Sequence, residues 1–307
     1  MNPYPFSEHS TIDDSDDVLV GRAREGDHSA LDTLVRRHQA WIYNLAIRML
    51  YQPEDAADAT QEILVKVVTR ISSFEGRSAF RTWLYRIATN HLLNQRKLRK
   101  SLDSFTFQAF EATMSEFADA DVPASRIPAR LLVKESLIGC TSAMLLCLSS
   151  EQRMVYILGA VFGATDRVAA AILGLSPAAY RKRLSRARSD LHAFMSGQCG
   201  LIDRTNPCRC EKKTRAFIEA GHIDPDRLMF ADERLQRIRE VIPAAIQQLD
   251  AVNCEYARLY REHYFYQPPE DYADVLGELI RSTRFQALVH ATGEPASNKH
   301  RGENGPV

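Results

Sequence analysis

The sequence predicts an all-α protein in which two helical domains are joined by a linker and followed by a helical C-terminal extension. Apolar residues recur at helical spacing through most of the chain, and pairs typical of helix starts, such as Ser176-Pro177, precede several apolar stretches. The length of 307 residues, with 45% hydrophobic and 25% charged residues, suits two or three globular domains.

Charge is distributed unevenly along the chain. The formal net charge is +0, yet residues 1–20 carry five acidic residues and no Lys or Arg, while basic residues cluster at 96–100, 181–188 and 204–215. Local patches decide what a phosphate backbone meets, so the neutral total does not exclude a nucleic-acid partner. We find no signal peptide and no apolar run that could span a bilayer, and we therefore expect a cytoplasmic protein without membrane insertion.

Composition and periodicity also predict the domain boundaries. The polar ends read as disordered tails, and periodicity is lost between the two helical domains. We predict a disordered tail at 1–17, a first helical domain at 18–102, a linker at 103–130, a helix-turn-helix domain at 131–196, a Cys-containing helical extension at 197–291 and a second disordered tail at 292–307.

The stretch 53–100 predicts two helices joined by a polar turn. Pro53 suits a first helical position, and the first helix has an acidic edge formed by Asp55, Asp58 and Glu62. The second helix contains aromatic residues and ends in a basic cluster. This pattern suits an adaptor between a protein and a nucleic acid, and it equally suits an ordinary bundle with solvated faces.

A second stretch, 165–188, has the pattern of a helix-turn-helix. An Ala-rich helix is followed by Gly174, which suits a tight turn, and then by Ser176-Pro177 at the start of the next helix. That helix carries basic residues along one side, as a helix that enters a major groove does. The alternative is a solvated basic helix.

Both stretches resemble bacterial RNA polymerase sigma factors of the extracytoplasmic-function (ECF) group. Asp55-Ala-Ala-Asp58-Ala-Thr-Gln61-Glu62 and Phe74-Glu-Gly-Arg-Ser-Ala-Phe80-Arg-Thr-Trp83-Leu-Tyr-Arg-Ile-Ala-Thr-Asn90 resemble sigma region 2, and residues 148–191 resemble region 4. Three features depart from the family pattern: Val68 where a Trp is frequent, no acidic pair within 161–166, and Tyr180 in place of a small aliphatic residue.

The resemblance implies a sigma factor that binds core RNA polymerase and promoter DNA, with an anti-sigma factor as a further partner. The implied polymerase-binding residues are Asp55, Asp58, Gln61 and Glu62. The implied contacts to the −10 element are Ser73, Phe74, Arg77, Trp83, Asn90, Asn94, Arg96 and Lys97, and those to the −35 element are Arg181, Lys182, Arg183, Ser185, Arg186 and Arg188.

The extension opens with three closely spaced cysteines, Cys199, Cys208 and Cys210. Three thiols suit a structural zinc ion if His222 or Cys254 supplies a fourth ligand. Neighbouring basic residues would lower thiolate pKa values, which favours a redox switch equally, and unligated cysteines are the third reading. From its position after the two domains, we expect the extension to be regulatory.

Two other function classes remain to be weighed. A dimeric helix-turn-helix repressor with a metal- or redox-sensing C-terminal domain explains residues 165–295, but it leaves the pattern at 53–100 without a role. An enzyme is the weakest reading, because the chain has no nucleophile–base pairing, no Gly-rich phosphate loop and no HExxH motif. We therefore predict a protein that is not an enzyme.

Overall fold

The computed structural model describes residues 5–6, 15–94, 105–230, 268–269 and 271–281. Within these ranges the protein is helical and contains no β-strand, apart from one isolated β-bridge between Cys199 and Cys208. The predicted all-α class is therefore confirmed. No helix in the described ranges is long and apolar enough to cross a membrane.

The described part of the first domain has a 3₁₀ turn at Ile71–Ser73 and four helices: α1 (Asp16–Arg24), α2 (His28–Leu50), α3 (Pro53–Arg70) and α4 (Phe80–Asn94). Asp27 caps α2, since its carboxylate accepts from the backbone N–H groups of Ser29 and Ala30. Tyr51 ends α2 at a positive φ of 70°, and Pro53 then occupies the first position of α3.

A half-buried carboxylate ties α1 to α2 and α4. Asp16 lies 2.8 Å from Arg37, 2.8 Å from Arg81 and 3.2 Å from His38. Burial alone would raise the pKa of Asp16, but these three contacts outweigh it and hold the pKa well below its usual range. Asp16 therefore stays ionised and connects three helices.

Two segments differ from the sequence-based expectation. The linker holds a helix, α5 (Phe107–Glu116), which Thr106 caps and whose Phe107 and Phe110 pack on Phe194 at centroid distances of 5.2 and 5.7 Å. Within the predicted N-terminal tail, Phe6 packs on Tyr85 at 4.8 Å. These aromatic contacts join α5 and Phe6 to residues far away in the chain, and sequence periodicity does not reveal such contacts.

The second domain follows the predicted plan. Its helices are α6 (Ala129–Leu146), α7 (Ser150–Tyr156), α8 (Asp166–Leu173) and α9 (Pro177–Gln198), and a π-helical turn at Ile157–Val161 extends α7. Gly174 ends α8 in the left-handed region at φ 65°, and Ser176 caps α9 through the N–H of Ala179. The helix-turn-helix prediction is thus confirmed.

The extension packs back on both domains. It contributes α10 (Cys210–Glu219) and α11 (Tyr272–Arg281), while residues 231–267 of the predicted helical extension lie outside the described residues. The buried carboxylate of Glu135 in α6 accepts from the N–H groups of Met229 and Phe230, and the Phe230 ring packs on Tyr51 at 5.6 Å. The extension therefore touches the end of α2 as well as α6.

The two domains are packed directly against each other. Phe162 contacts Trp41 and Tyr85 of the first domain at centroid distances of 5.5 and 6.2 Å. Fully buried Arg153 donates to the carbonyl oxygen of Met49 at the end of α2, and also to those of Leu145, Leu146 and Leu148. These contacts define the closed arrangement, in which residues of the two domains share one core.

We predict that Arg153→Met destabilises the chain by about 3 kcal/mol or more, because it leaves several buried carbonyl groups without their charged donor. Urea unfolding measures this change, and exposed Arg167→Met is the matched control. A change in the Arg153 variant no larger than in the control would contradict the role given to Arg153.

Tyr180, a departure from the family pattern, is a core residue. Its side chain is fully buried, and its hydroxyl donates to the carbonyl oxygen of Val155 at 3.2 Å. Gly159 makes this possible, because a Cβ there would lie 2.3 Å from the Tyr180 hydroxyl oxygen and 3.0 Å from Leu184. Tyr180 therefore changes how α9 packs on the core of the second domain and adds nothing to the exposed side of the helix.

We predict that Gly159→Ala costs about 1–3 kcal/mol of stability through this overlap. In a Tyr180→Phe background the same change should cost clearly less, because the overlapping oxygen is gone. Gly197→Ala in α9 is the control: its Cβ would meet nothing within 4 Å, so we expect no loss of stability. Equal costs of Gly159→Ala in both backgrounds, measured by thermal unfolding, would refute this packing account.

Candidate functional site

The acidic edge predicted on α3 lies at the surface. Asp58, Gln61 and Glu62 are exposed, while the opposite side of the helix buries Ala56, Ala59, Thr60, Ile63, Leu64, Val67 and Val68. Because the apolar stripe faces α2 and α4, the three polar side chains must point outward. We call Asp58, Gln61 and Glu62 the carboxylate surface.

Asp55 differs from the other three predicted polymerase-binding residues. It is half-buried and lines a cavity of about 680 Å³ at the junction of α2, α5, α6 and the extension. Most other groups around this cavity are apolar, including Phe110 and Phe230. The structure therefore brings three of the four predicted residues onto one open surface and turns the fourth toward the cavity.

Two residues that the sequence did not single out border the carboxylate surface. Lys66 Nζ lies 3.7 Å from the Glu62 carboxylate and 2.5 Å from His91 Nδ1. Burial, with the nearby Lys66 charge, lowers the pKa of His91, so the imidazole stays neutral at neutral pH. The i to i+4 spacing of Glu62 and Lys66 was the only signal in the sequence for this arrangement.

In the turn between α3 and α4, one residue predicted to contact the −10 element, Phe74, is buried. Ser73 and Arg77 are exposed as predicted, but Phe74 is only 6% exposed and packs on Phe80 and Trp83 at 5.8 and 5.4 Å. A ring enclosed by two other aromatic rings presents no open face to a base. Phe74 is therefore a supporting residue for Trp83 in this structure and does not form a stacking surface itself.

The remaining residues predicted to contact the −10 element lie along α4. Asn90 and Asn94 are exposed and Trp83 is half-buried, whereas Arg96 and Lys97 lie outside the described residues. In the closed arrangement α8 packs against α4, and Arg86 donates to the carbonyl oxygen of Ala171 at 2.5 Å. Part of this helix is thus covered by the second domain.

The basic residues predicted on α9 share one side of the helix. The opposite side buries Tyr180, Leu184, Ala187, Leu191, Phe194 and Met195, so the charged groups are directed to solvent. Arg181, Lys182, Ser185 and Arg186 are exposed, and Arg183 and Arg188 are half-buried. The structure therefore gathers all six predicted residues on an accessible helix.

Acidic residues partly neutralise this basic side. Arg183 lies 2.8 Å from Glu151, and Arg181 lies 3.4 Å from Asp166. Lys182 and Arg186 form no ion pair with the described part of the chain, and their i to i+4 spacing puts them one turn apart. These two therefore offer uncompensated positive charge, while exposed pairs such as Arg183–Glu151 are weak enough to be exchanged for phosphate.

The pKa values of the three extension cysteines are raised, whereas a redox switch would need them to be lowered. Burial raises the pKa of the Cys199 and Cys208 thiols and, with the neighbouring cysteines, raises that of Cys210 to about 12. Arg209 lowers the pKa values of Cys199 and Cys208, and Lys213 lowers that of Cys208, but burial outweighs both charges. Lys212 and Lys213 also pair with Asp121 at 2.6 Å and Asp119 at 3.0 Å. The thiols are therefore protonated near neutral pH, which argues against a reactive thiolate.

Within the described ranges, no three or more His, Cys, Asp or Glu side chains are arranged to hold a metal ion. Cys199, Cys208 and Cys210 are free thiols, and the His222 ring packs against Phe117 and Phe217 at centroid distances of 6.1 and 6.3 Å. Cys254, the other candidate for a fourth ligand, lies outside the described residues. The zinc site stays a prediction.

Comparison with known families and proteins matches both domains. The model of Sigma-70 region 2 matches residues 34–101, and that of Sigma-70, region 4 matches residues 138–191. The chain is 35% identical over 179 residues to the ECF RNA polymerase sigma-E factor of Escherichia coli K12, which covers 57% of this chain and 91% of that protein. It is 29% identical over 178 residues to the RNA polymerase sigma-H factor of Pseudomonas aeruginosa, with the same coverage.

Among solved structures, CnrH in complex with the cytosolic domain of CnrY is similar at 27% identity and a TM-score of 0.45, over 60% of this chain and 98% of that one. RpoE in complex with the anti-sigma factor NepR from Bartonella quintana is similar at 23% identity and a TM-score of 0.37, over 57% and 98%. The repressor alternative does not account for the region 2 match. The sequence relatives and the two matched regions show that the chain belongs to the ECF family of RNA polymerase sigma factors.

Proposed function

We propose that this sigma factor binds core RNA polymerase through the carboxylate surface of α3, with Asp55 at its margin. The observation that carries this proposal is the exposure of Asp58, Gln61 and Glu62 on a helix whose other side is wholly buried. Acidic groups held on a rigid helix give a partner with basic residues a fixed pattern to pair with.

We propose further that the promoter contacts are divided between the two domains. Ser73, Arg77, Trp83, Asn90 and Asn94 would hold the melted −10 strand, together with Arg96 and Lys97, by stacking and by contacts to the strand backbone. The exposed side of α9 would enter the major groove at the −35 element, where arginines pair with guanine edges and phosphates.

No reaction needs to be catalysed for this function. The sigma factor would favour the melted promoter because it binds the separated strand better than the duplex, which is a difference in binding free energy. It would act together with RNA polymerase in the cytoplasm. An anti-sigma partner stays a prediction from the family resemblance.

The closed arrangement has to open for both promoter elements to be bound together. Elements named −10 and −35 lie about 25 base pairs apart, which is about 85 Å of duplex at about 3.4 Å per base pair. In the closed arrangement α4 packs on α8, and α8 packs on α9, which is about 33 Å long. The two proposed reading surfaces are therefore separated by little more than one helix about 10 Å wide and the length of α9, which is far less than 85 Å.

The linker is long enough for such an opening. Between Asn94 and Ala129 a fully extended chain would reach about 115 Å at about 3.4 Å per residue. If α5 stayed helical, the reach would still be about 95 Å. Separation of the domains costs the contacts of Phe162 and Arg153 across the interface, and binding to polymerase and promoter would compensate for that loss.

We expect the double change Asp58→Ala/Glu62→Ala to weaken binding to core polymerase at least tenfold and to abolish run-off transcription, because it removes two charged contacts. Binding of the full chain to a −35 duplex should be unchanged, since α9 is exposed and distant in sequence. Asp224→Ala/Asp226→Ala, which removes two exposed charges from the extension, is the control. Unchanged polymerase affinity in the first variant would refute the assignment of the carboxylate surface.

We also propose, from the spacing of Cys199, Cys208 and Cys210, a structural zinc ion in the extension, with His222 or Cys254 as the fourth ligand. Elemental analysis of the purified chain should then find about one zinc per molecule, because three thiolates and one further ligand complete a tetrahedral site. Cys208→Ser/Cys210→Ser should lose the metal, and Cys147→Ser should keep it. A wild-type chain purified without chelators that holds no zinc would contradict the proposal.

A further inference from the structure

The C-terminal helix α11 docks on the first domain through a cluster of polar contacts. Arg36 of α2 pairs with Asp271 and with Asp274, the latter at 2.6 Å, and Gln39 donates to the Asp271 carboxylate at 2.9 Å. Asp271 also accepts from the backbone N–H of Ala273, as an N-terminal helix cap does. The start of α11 is thus held at a defined position on α2.

Apolar contacts accompany this polar cluster. Tyr272, Ala273 and Leu276 are 2%, 1% and 2% exposed and belong to the common core of the two domains. The Tyr272 hydroxyl reaches α3 and donates to the carbonyl oxygen of Ala57 at 3.2 Å. One turn of α11 therefore bridges α2 and α3, and its inner side is fully covered.

The position of Tyr272 matters because of what lies next to it on α3. Gln61 follows Ala57 by four residues and lies one turn further along the same side of the helix, and Asp58 is the next residue in the chain. A macromolecule that covers Asp58 and Gln61 meets the docked end of α11. The docked helix thus borders the carboxylate surface without occupying it.

We propose that α11 is an intramolecular competitor of core polymerase for the α2–α3 surface. This inference rests on the proposed role of the carboxylate surface. Docked α11 overlaps the edge of the polymerase-binding site, so α11 must dissociate from the α2–α3 surface before polymerase can bind. The extension would then lower the availability of the sigma factor without any second protein.

The chemistry of the contact suits a reversible competitor. The ion pairs are solvent-exposed, with side-chain exposures of 42% for Arg36 and 73% for Asp274, so each contributes little. The covalent connection compensates for this weakness, because a tethered segment acts at an effective concentration near the millimolar range. If α11 were docked nine-tenths of the time, the apparent affinity for polymerase would be lowered about tenfold.

The test measures the binding of core polymerase to full-length variants of the helix itself. Asp271→Asn/Asp274→Asn removes the two partners of Arg36 on α11 and leaves its pair with Asp32 at 2.9 Å intact, and Tyr272→Ala removes the bridge to α3. We expect both to bind polymerase more tightly than the wild type, by about three- to tenfold. Asp224→Asn/Asp226→Asn changes the charge of the extension by the same amount away from the contact and should bind as the wild type does.

A charge exchange gives a second, independent measurement. Arg36→Glu should tighten polymerase binding like the α11 variants, and adding Asp271→Arg/Asp274→Arg should restore the wild-type affinity by remaking the pairs with reversed sign. If the wild type binds polymerase and the α11 variants bind no more tightly, the competitor role is wrong. If no form of the chain binds polymerase, the proposed function fails instead.

Discussion

The closed arrangement depends on how the buried guanidinium of Arg153 is satisfied. An unpaired guanidinium in a protein interior would cost several kcal/mol, and this one meets carbonyl oxygens near the ends of α2 and α6. Helix C-termini carry partial negative charge and unsatisfied carbonyl groups, so they suit a cation. Because Met49 belongs to the first domain and Leu145, Leu146 and Leu148 to the second, one side chain couples the two.

This coupling shapes how the sigma factor would work. Phe162 fills the space between Trp41 and Tyr85, and α8 packs on α4, so the proposed −10 surface is partly covered in the free chain while α9 stays exposed. The proposed docking of α11 acts on a different surface, beside Gln61. The two contacts would restrain different steps: the second domain limits access to the −10 strand, and α11 limits access to polymerase.

Local interactions made much of the fold predictable from the sequence. Helices α2, α7 and α9 begin directly after Asp27, Ser149 and Ser176, whose side chains each accept from a backbone N–H no more than three residues later. The spacing of apolar residues alone indicates which side of α3 and of α9 is buried. The errors concern non-local packing: Phe74 lies under two rings, α5 packs on Phe194, and burial raises the thiol pKa values despite neighbouring Lys212 and Lys213. The docking of α11 on Arg36 joins residues far apart in the chain, and no spacing rule indicates such a pair.

The central claim is that the free sigma factor holds its two domains together and separates them on the promoter. Energy transfer between bio-orthogonal labels at exposed Arg70 and Arg167 measures this separation in single molecules. The account predicts one short distance in the free chain and a distance longer by several tens of ångströms in the polymerase–promoter complex, with Arg153→Met shifting the free chain toward the long distance. An equally long distance in the free wild-type chain would contradict it.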